Sequence, residues 1–168
     1  MIKIRKVKTL GDINATAALA REIWTQHYVP IIGKKQTDYM LANFQSTKAI
    51  ARQIAEGYLY YLVTNNCRKA GYFAIVPDRK KRTALLSKIY VRQALRGRGL
   101  GKDILKFAEK YCLKKKAKML WLTVNRNNKD SIAFYLRAGF KKSGKIVTDI
   151  GDGFIMDDYK MVKRLDYG

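Results

Sequence analysis

The order of apolar periodicities along the chain predicts an α/β fold: one domain over residues 1–168, with a mixed central sheet of about seven strands and helices on both faces. Three observations carry this. Short strand-like runs alternate with longer helix-period runs from one end to the other. The apolar run LLSKIYV (Leu85 to Val91) leads through a glycine-rich turn into the helix-period run LGKDILKFAEKYCLKK. A second strand and helix, LWLTVNRNNKDSIAFYLRAGF (Leu120 to Phe140), follow after a short interval. A length of 168 residues suits one domain with a real core and is short for two.

Each element has a local reason. Ile2 to Lys6 alternates and reads as a strand. Leu10 to Gln26 reads as a helix, with Ile13, Ala17, Leu19, Ala20, Ile23 and Trp24 near the helical period. Pro30 is expected to break it, leaving Ile31 to Gly33 as a loop. Gln36 to Phe44 and Thr47 to Glu56 form a second helical region, in one piece or two, ended by Gly57. A meander follows: YLYYLVT, a turn at NNCRKAG, GYFAIVP, a basic turn at DRKKRT, and ALLSKIYV. The next helix, Gly99 to about Lys116, should bury Leu100, Ile104, Ala108 and Tyr111. LWLTV reads as a buried strand. Asn127 or Asn128 can cap the following helix, and Gly139 can end it in the left-handed conformation with Phe140 folding back. Lys141 to Asp149 and Phe154 to Val162 close the chain as a hairpin across Gly151-Asp152-Gly153. The predicted order is β-α-α-β-β-β-α-β-α-β-β.

Composition bounds the function. Hydrophobic content of 48% supports a globular chain, and no apolar run approaches the ~20 residues of a membrane span. The N-terminus lacks the apolar centre of a signal peptide. Cys67 and Cys112 are far apart and unclustered, which suggests a reducing cytoplasm and no metal site. Cys112 is expected in a core and Cys67 in an exposed turn. Thirty-five Lys and Arg against thirteen Asp and Glu give +22, a field that attracts polyanions. The basic runs Arg79–Arg82, Lys114–Lys118 and Lys141–Lys145 are expected at turns and a helix end, as solvated surface. A nucleic-acid partner is possible on this charge but is not the favoured reading.

The stretch Arg92 to Asp103, RQALRGRGLGKD, carries the chemistry. The first turn of a helix has N–H groups without intrahelical partners, and the dipole adds positive charge there. Gly97, Gly99 and Gly101 let a ligand approach the backbone, and Arg96, Arg98 and Lys102 surround it with charge. The spacing Gly97-Arg98-Gly99-Leu100-Gly101 is one residue short of a dinucleotide fingerprint. Arg96 and Asp103 stand where a P-loop needs Gly and a hydroxyl. The pattern Arg/Gln-x-x-Gly-x-Gly/Ala, read as Arg96, Gly99 and Gly101, resembles the coenzyme A signature of the GNAT N-acetyltransferases. The second block resembles the other half of that core through Asn128, Ser131, Tyr135, Gly139 and Phe140. The wording of IWTQHYVPIIGKKQTDYM, FQST and GFIMDDYKMVK is similar to a bacterial branch of the family that includes polyamine acetyltransferases.

The resemblance implies a mostly antiparallel sheet, acetyl-CoA as cofactor, and transfer of its acetyl group to a small-molecule amine or peptide acceptor. Coenzyme A would lie where the fourth strand parts from the fifth. Backbone amides of Arg98 to Lys102 would hold the pyrophosphate beside Arg96 and Gly97. The main chain of Ile89, Tyr90 and Val91 would pair with the pantetheine arm, the Tyr90 N–H polarising the thioester. Asn128 would reach the pantetheine or cap its helix, with Ser131 on the same turn. Tyr135 would be the general acid that protonates the departing thiolate, or a packing residue. The Glu that many members carry on the fourth strand is absent; Ser87 and Lys88 stand there. Asp157, Asp158, Glu56 and His27 are possible bases, none assigned. Trp24, His27, Tyr28 and Tyr39 could line an acceptor pocket or anchor helices, and Asp152, Asp157 and Asp158 could attract a cationic acceptor. A monomer or a homodimer is expected.

Overall fold

A computed structural model describes residues 1–165. The elements run β1 (Ile2–Lys6), α1 (Leu10–Ile32), α2 (Lys34–Phe44), α3 (Thr47–Ala55), β2 (Leu59–Asn65), β3 (Arg68–Asp78) and β4 (Thr83–Val91). A 3-10 turn (Gln93–Leu95), α4 (Leu100–Lys114), β5 (Met119–Asn125), α5 (Lys129–Arg137), β6 (Lys141–Gly151) and β7 (Phe154–Arg164) complete the order. The seven strands form one sheet in the order β1-β2-β3-β4-β5-β7-β6. Pairs β1–β2, β2–β3, β5–β7 and β6–β7 are antiparallel, and β4–β5 is parallel. The predicted α/β class and strand order are those observed. The second helical region resolves into α2 and α3, because Gln45 leaves helical geometry and Ser46 caps a new helix by accepting from the Ala49 N–H at 3.2 Å.

The chain divides into two compact units, Met1–Val76 with Lys88–Leu105, and Pro77–Ser87 with the chain from Lys106 onward. In the first unit, Thr9 and Asp12 form a reciprocal capping box at the start of α1. The Asp12 carboxylate also accepts from the Lys8 N–H at 3.0 Å and pairs with Arg5 at 2.6 Å, and these bonds hold it well below the usual carboxylate range. The expected break at Pro30 does not occur: α1 runs on to Ile32. A proline so near the end of a helix removes one donor from the ladder. Gly33, at φ 83°, ends the helix instead, its N–H bonding Val29 O at 3.0 Å. The β2–β3 turn contracts to Asn66-Cys67, both at positive φ, so β3 begins earlier than expected and Cys67 is exposed.

The core of this unit is aromatic and polar together. Tyr60, Tyr72, Phe73, Ile23, Ile50 and Ile75 are buried. Trp24 Nε1 donates to Tyr72 Oη at 3.2 Å, and Tyr72 donates to Gln45 Oε1 at 3.0 Å. Tyr60 donates to Gln53 Oε1 at 2.6 Å. Gln53 Nε2 and Lys88 Nζ both donate to the Phe44 carbonyl, at 3.1 and 3.0 Å. Buried polar groups need such partners, since an unpaired one forfeits its hydration for nothing. Lys88 is 6% exposed, lies over the Tyr60 ring, and among the described residues pairs with no carboxylate. Burial pushes its amine down to about 7.

In the second unit, Leu120, Leu122, Phe140 and Met161 are buried with Ala108 and Cys112 of α4. The buried stripe of α4 ends at Cys112 rather than Tyr111, which is only partly buried. Burial raises the Cys112 thiol to about 11, a packing role rather than a reactive one. β5 is not buried throughout: its outward residues alternate, and Thr123 is exposed. Gly139 ends α5 at φ 92°, and Phe140 is buried as expected. The closing hairpin turns at Asp152-Gly153, both at positive φ. The basic run Lys141–Lys145 lies on strand β6, not in a turn, although it is exposed as expected.

Two outcomes follow from the first unit. A Cβ at Gly71 would sit 2.3 Å from the Tyr90 carbonyl oxygen, a backbone atom. Gly71→Ala should therefore lose about 3 kcal/mol or more in a urea titration, the overpacking cost of a strand that cannot back away. The Lys88 amine falls to about 7 on folding from 10.5, so the unfolded state binds more protons between those values. Stability should rise with pH across that window, and below it the full penalty persists. Relative to Lys88→Met, the wild type should gain up to about 4 kcal/mol from pH 7 to 10.5. Parallel stability curves for the two proteins would contradict a desolvated amine.

Candidate active site

The glycine-rich turn sits wholly in the first unit. β4 pairs with β5 over Thr83–Leu85 only, opposite Met119–Trp121. At its far end the Arg92 N–H bonds Ala70 O at 2.9 Å, and the 3-10 turn follows. Arg96 is not a free cation on the turn. Its Nε donates to Val91 O at 3.1 Å and its Nη1 lies 3.0 Å from His27 Nδ1, so it braces the turn against β4 and α1. Gly97 and Gly99 stand at φ 75° and 84°, a conformation that excludes most side chains. The helical ladder of α4 opens with Asp103 N–H to Gly99 O at 3.1 Å. The N–H groups of Leu100, Gly101 and Lys102 therefore precede it and have no intrahelical acceptor. Arg98 and Lys102 are exposed beside them, and Leu100 is buried as the anchor of the helix.

Several residues that the sequence assigned separately come together here. Trp24 stacks on Tyr28 at 4.2 Å, and both meet the ring of Tyr90, at 5.3 and 6.1 Å. His27 meets Tyr28 edge-on at 4.8 Å. Tyr90 also contacts Tyr72 at 5.2 Å, so this side chain, alternating with Ile89 and Val91 along β4, joins an aromatic cluster with α1. Trp24 is 3% exposed and bonded, and belongs to the core. Tyr39 is apart from this group and packs on Phe44. Lys88 is the residue that sequence reading underrated. It alternates with Leu86 and Tyr90 on one strand face, and a lysine in that apolar series was a visible signal.

In the second unit, Tyr135 is 6% exposed on α5 and its ring contacts Phe134 and Phe140 at 5.3 and 5.7 Å. Its neighbour Leu136 is 47% exposed. Asn128 occupies the N-cap position of α5, but its side chain makes no capping bond, although it is 3% exposed. Ser131 is partly buried one turn on. Asp157 pairs with Arg126 at 3.1 Å. Its neighbour Asp158 is 5% exposed, and burial pushes its carboxyl up to about 6 against the hydrogen bond from the Thr123 side chain; the nearby Asp157 charge raises it further. Glu56 is exposed and pairs with Arg52. Among the described residues no group of three or more His, Cys, Asp or Glu could hold a metal ion, and no helix is long and apolar enough to cross a membrane.

Comparison with known proteins gives this geometry a family. The model of the Acetyltransferase (GNAT) family matches residues 17–140. An uncharacterized N-acetyltransferase in the pepI 3′ region of Lactobacillus delbrueckii subsp. lactis is 28% identical over 152 residues, 84% of this chain and 86% of that one. The fold is shared with the PaiA N-acetyltransferase of Thermoplasma acidophilum, at TM-score 0.81 and 23% identity over 98% of this chain and 99% of that chain. It is shared also with the ribosomal-protein-S18-alanine N-acetyltransferase of Escherichia coli, at TM-score 0.74 and 21% identity over 100% and 96%. The chain belongs to the acetyltransferase (GNAT) family and is an acetyl-CoA-dependent N-acetyltransferase.

Proposed function

We propose that the chain, acting as one acetyltransferase domain, transfers the acetyl group of acetyl-CoA to a primary amine of a small molecule by direct attack in a ternary complex. The turn Arg96–Lys102 carries this reading. A Cβ at Gly97 or Gly99 would meet no atom within 4 Å, so the backbone there is open to a ligand. Unpartnered amides at a helix start, flanked by Arg98 and Lys102, form a donor set suited to phosphate oxygens. The Thermoplasma structure with the same fold was solved in complex with coenzyme A.

Acetyl-CoA supplies a thioester whose sulfur must leave as the new amide forms. On this reading the amides from Arg98 to Lys102 hold the pyrophosphate, and Arg96 with Gly97 keeps the turn in shape. Ile89, Tyr90 and Val91 offer main-chain groups to the pantetheine arm, and the Tyr90 N–H polarises the acetyl carbonyl. A preorganised donor of that kind is worth about 2.7–4 kcal/mol in the transition state. Asn128, buried with an amide not engaged in capping, and Ser131 bind the same arm. Tyr135 donates its Oη proton to the departing sulfur. Trp24, His27 and Tyr28 border the acceptor. A polyamine-like acceptor is supported by the wording of the segments after Ile23 and Gly153.

A second reading is a coenzyme A-binding protein of this fold that acts on or binds a protein, ribosomal or nucleic-acid partner. The Escherichia coli neighbour acts on ribosomal-protein-S18-alanine. Here Lys141, Lys142 and Lys145 are all exposed on β6, within a chain of net charge +22.

Acetyl-CoA should raise the melting temperature of the wild type, and Tyr135→Phe should keep that shift while kcat falls by about 100-fold, the usual scale for losing a general acid. Wild-type turnover in the variant would remove Tyr135 from the mechanism. Filter binding to RNA over a salt series tests the second reading. A tight low-salt complex lost steeply as salt rises is its expected result, and weak featureless binding would exclude a nucleic-acid partner.

A further inference from the structure

We propose that Asp158 is the counterion of the acceptor's alkylammonium group and the base that takes its proton, a role that rests on the acetyltransferase reading above. In a chain with 35 Lys and Arg, a carboxylate would be expected to find a cation. Seven others do: Asp12, Asp38, Glu56, Asp78, Glu22, Asp157 and Glu109 are in ion pairs. Asp103, Asp130, Asp149 and Asp152 are in none among the described residues, but none of those four is buried. Asp158 is 5% exposed and, among the described residues, is in none. Its adjacent Asp157 holds Arg126 at 3.1 Å. Lys160, two residues on and so on the same strand face, lies over the Trp121 ring at 4.7 Å. Across the ladder Asp158 faces Asn125 of β5 and Ile146 of β6. Gly144 and Thr148, which flank Ile146 on that face, carry no charge either. Among the described residues the Thr123 side chain hydrogen-bonds its carboxyl.

A buried carboxylate without a counterion lowers stability. Its carboxyl is pushed up to about 6 from 3.8, so the folded state binds more protons than the unfolded between those values. Stability falls as pH rises through that window, and the penalty is complete above it. A visiting cation removes that penalty, and perturbed carboxyls of this kind cluster at functional sites. An alkylamine with a pKa of about 10.4 arrives as that cation. The step balances as follows. The ammonium gives one proton to the Asp158 carboxylate, and the freed nitrogen lone pair forms the N–C bond. The C–S bond breaks, and the sulfur takes the Tyr135 Oη proton. The second nitrogen proton returns to the Tyr135 oxygen, and Asp158 releases its own to solvent.

The test is the pH profile of kcat/KM with spermidine, lysine and an alanine-terminated peptide as acceptors, on wild type, Asp158→Asn and Thr123→Val. Because the ammonium form is the one bound, the wild type should rise to a plateau just above pH 6. Asp158→Asn should fall by about 100-fold or more and rise with unit slope toward the amine's own pKa, while melting no lower than wild type at pH 7.5. Thr123→Val removes a bond to the ionised carboxylate and should move the acid limb upward. Wild-type rates and limb in Asp158→Asn, or a wild-type profile still climbing at pH 9, would overturn the proposal, as would no turnover of all three amines by protein that binds acetyl-CoA. Absence of acetyl-CoA binding by calorimetry would instead overturn the reading beneath it, and the proposal with it.

Discussion

The arrangement of the molecule turns on how little of β4 is paired with β5. Backbone N–H and C=O groups removed from water must find partners, and a strand inside a sheet normally finds them on both sides. β4 does so against β5 for three residues, Thr83–Leu85. Beyond them, no further pairing of β4 with β5 is found among the described residues. The same strand then delivers the chain to the 3-10 turn and to Gly97 and Gly99, and so to the unpartnered amides at the start of α4. The end of β4 and the start of α4 thus follow one another closely in sequence. Side chains contribute shape and charge around them, but the polar groups that define this stretch are main-chain ones.

That dependence explains what could be read in advance. Strand periodicity, helix periodicity and positive-φ turns are local properties, so β1, the β6–β7 turn at Asp152-Gly153, the Gly139 terminus and the Gly97–Gly101 turn were all legible in the residues themselves. Where reading failed, a longer-range fact overrode a local one. Pro30 did not stop α1, because only the last turn lay beyond it. Tyr111 gave way to Cys112, since the buried series Leu100, Ile104, Ala108 continues at a spacing of four. Arg96 and Asn128 were visible as motif residues and Lys88 as a lysine in an apolar series, but the partners of Arg96 and the burial of Lys88, Asn128 and Asp158 were not: Arg96 meets His27, 69 residues away in the chain.

The charge balance acts on these groups unequally. Surface lysines are well hydrated, and each contributes little to stability. Lys88 and Asp158, both removed from water, carry opposite perturbations: burial lowers the amine and raises the carboxyl. Lys88 has a helix-end carbonyl at Phe44 and a ring face at Tyr60 to lean on, so its role is compatible with holding the end of α2 against β4. Asp158 has the Thr123 side chain and, among the described residues, no ion pair. That asymmetry in support separates a lysine with a structural anchor from a carboxylate that still wants a companion.

β6 is the outermost strand of the sheet among the described residues, so its outer margin is where a further strand could add. Val147 and, on β7, Ile155 are exposed apolar side chains on this hairpin, an invitation to stick. Lys141, Lys142 and Lys145 stand along that margin, and the register slips between Lys142 and Gly144. Two molecules meeting rim to rim would press like charge on like charge across a kinked ribbon, so the sheet is guarded against growing into a fibre.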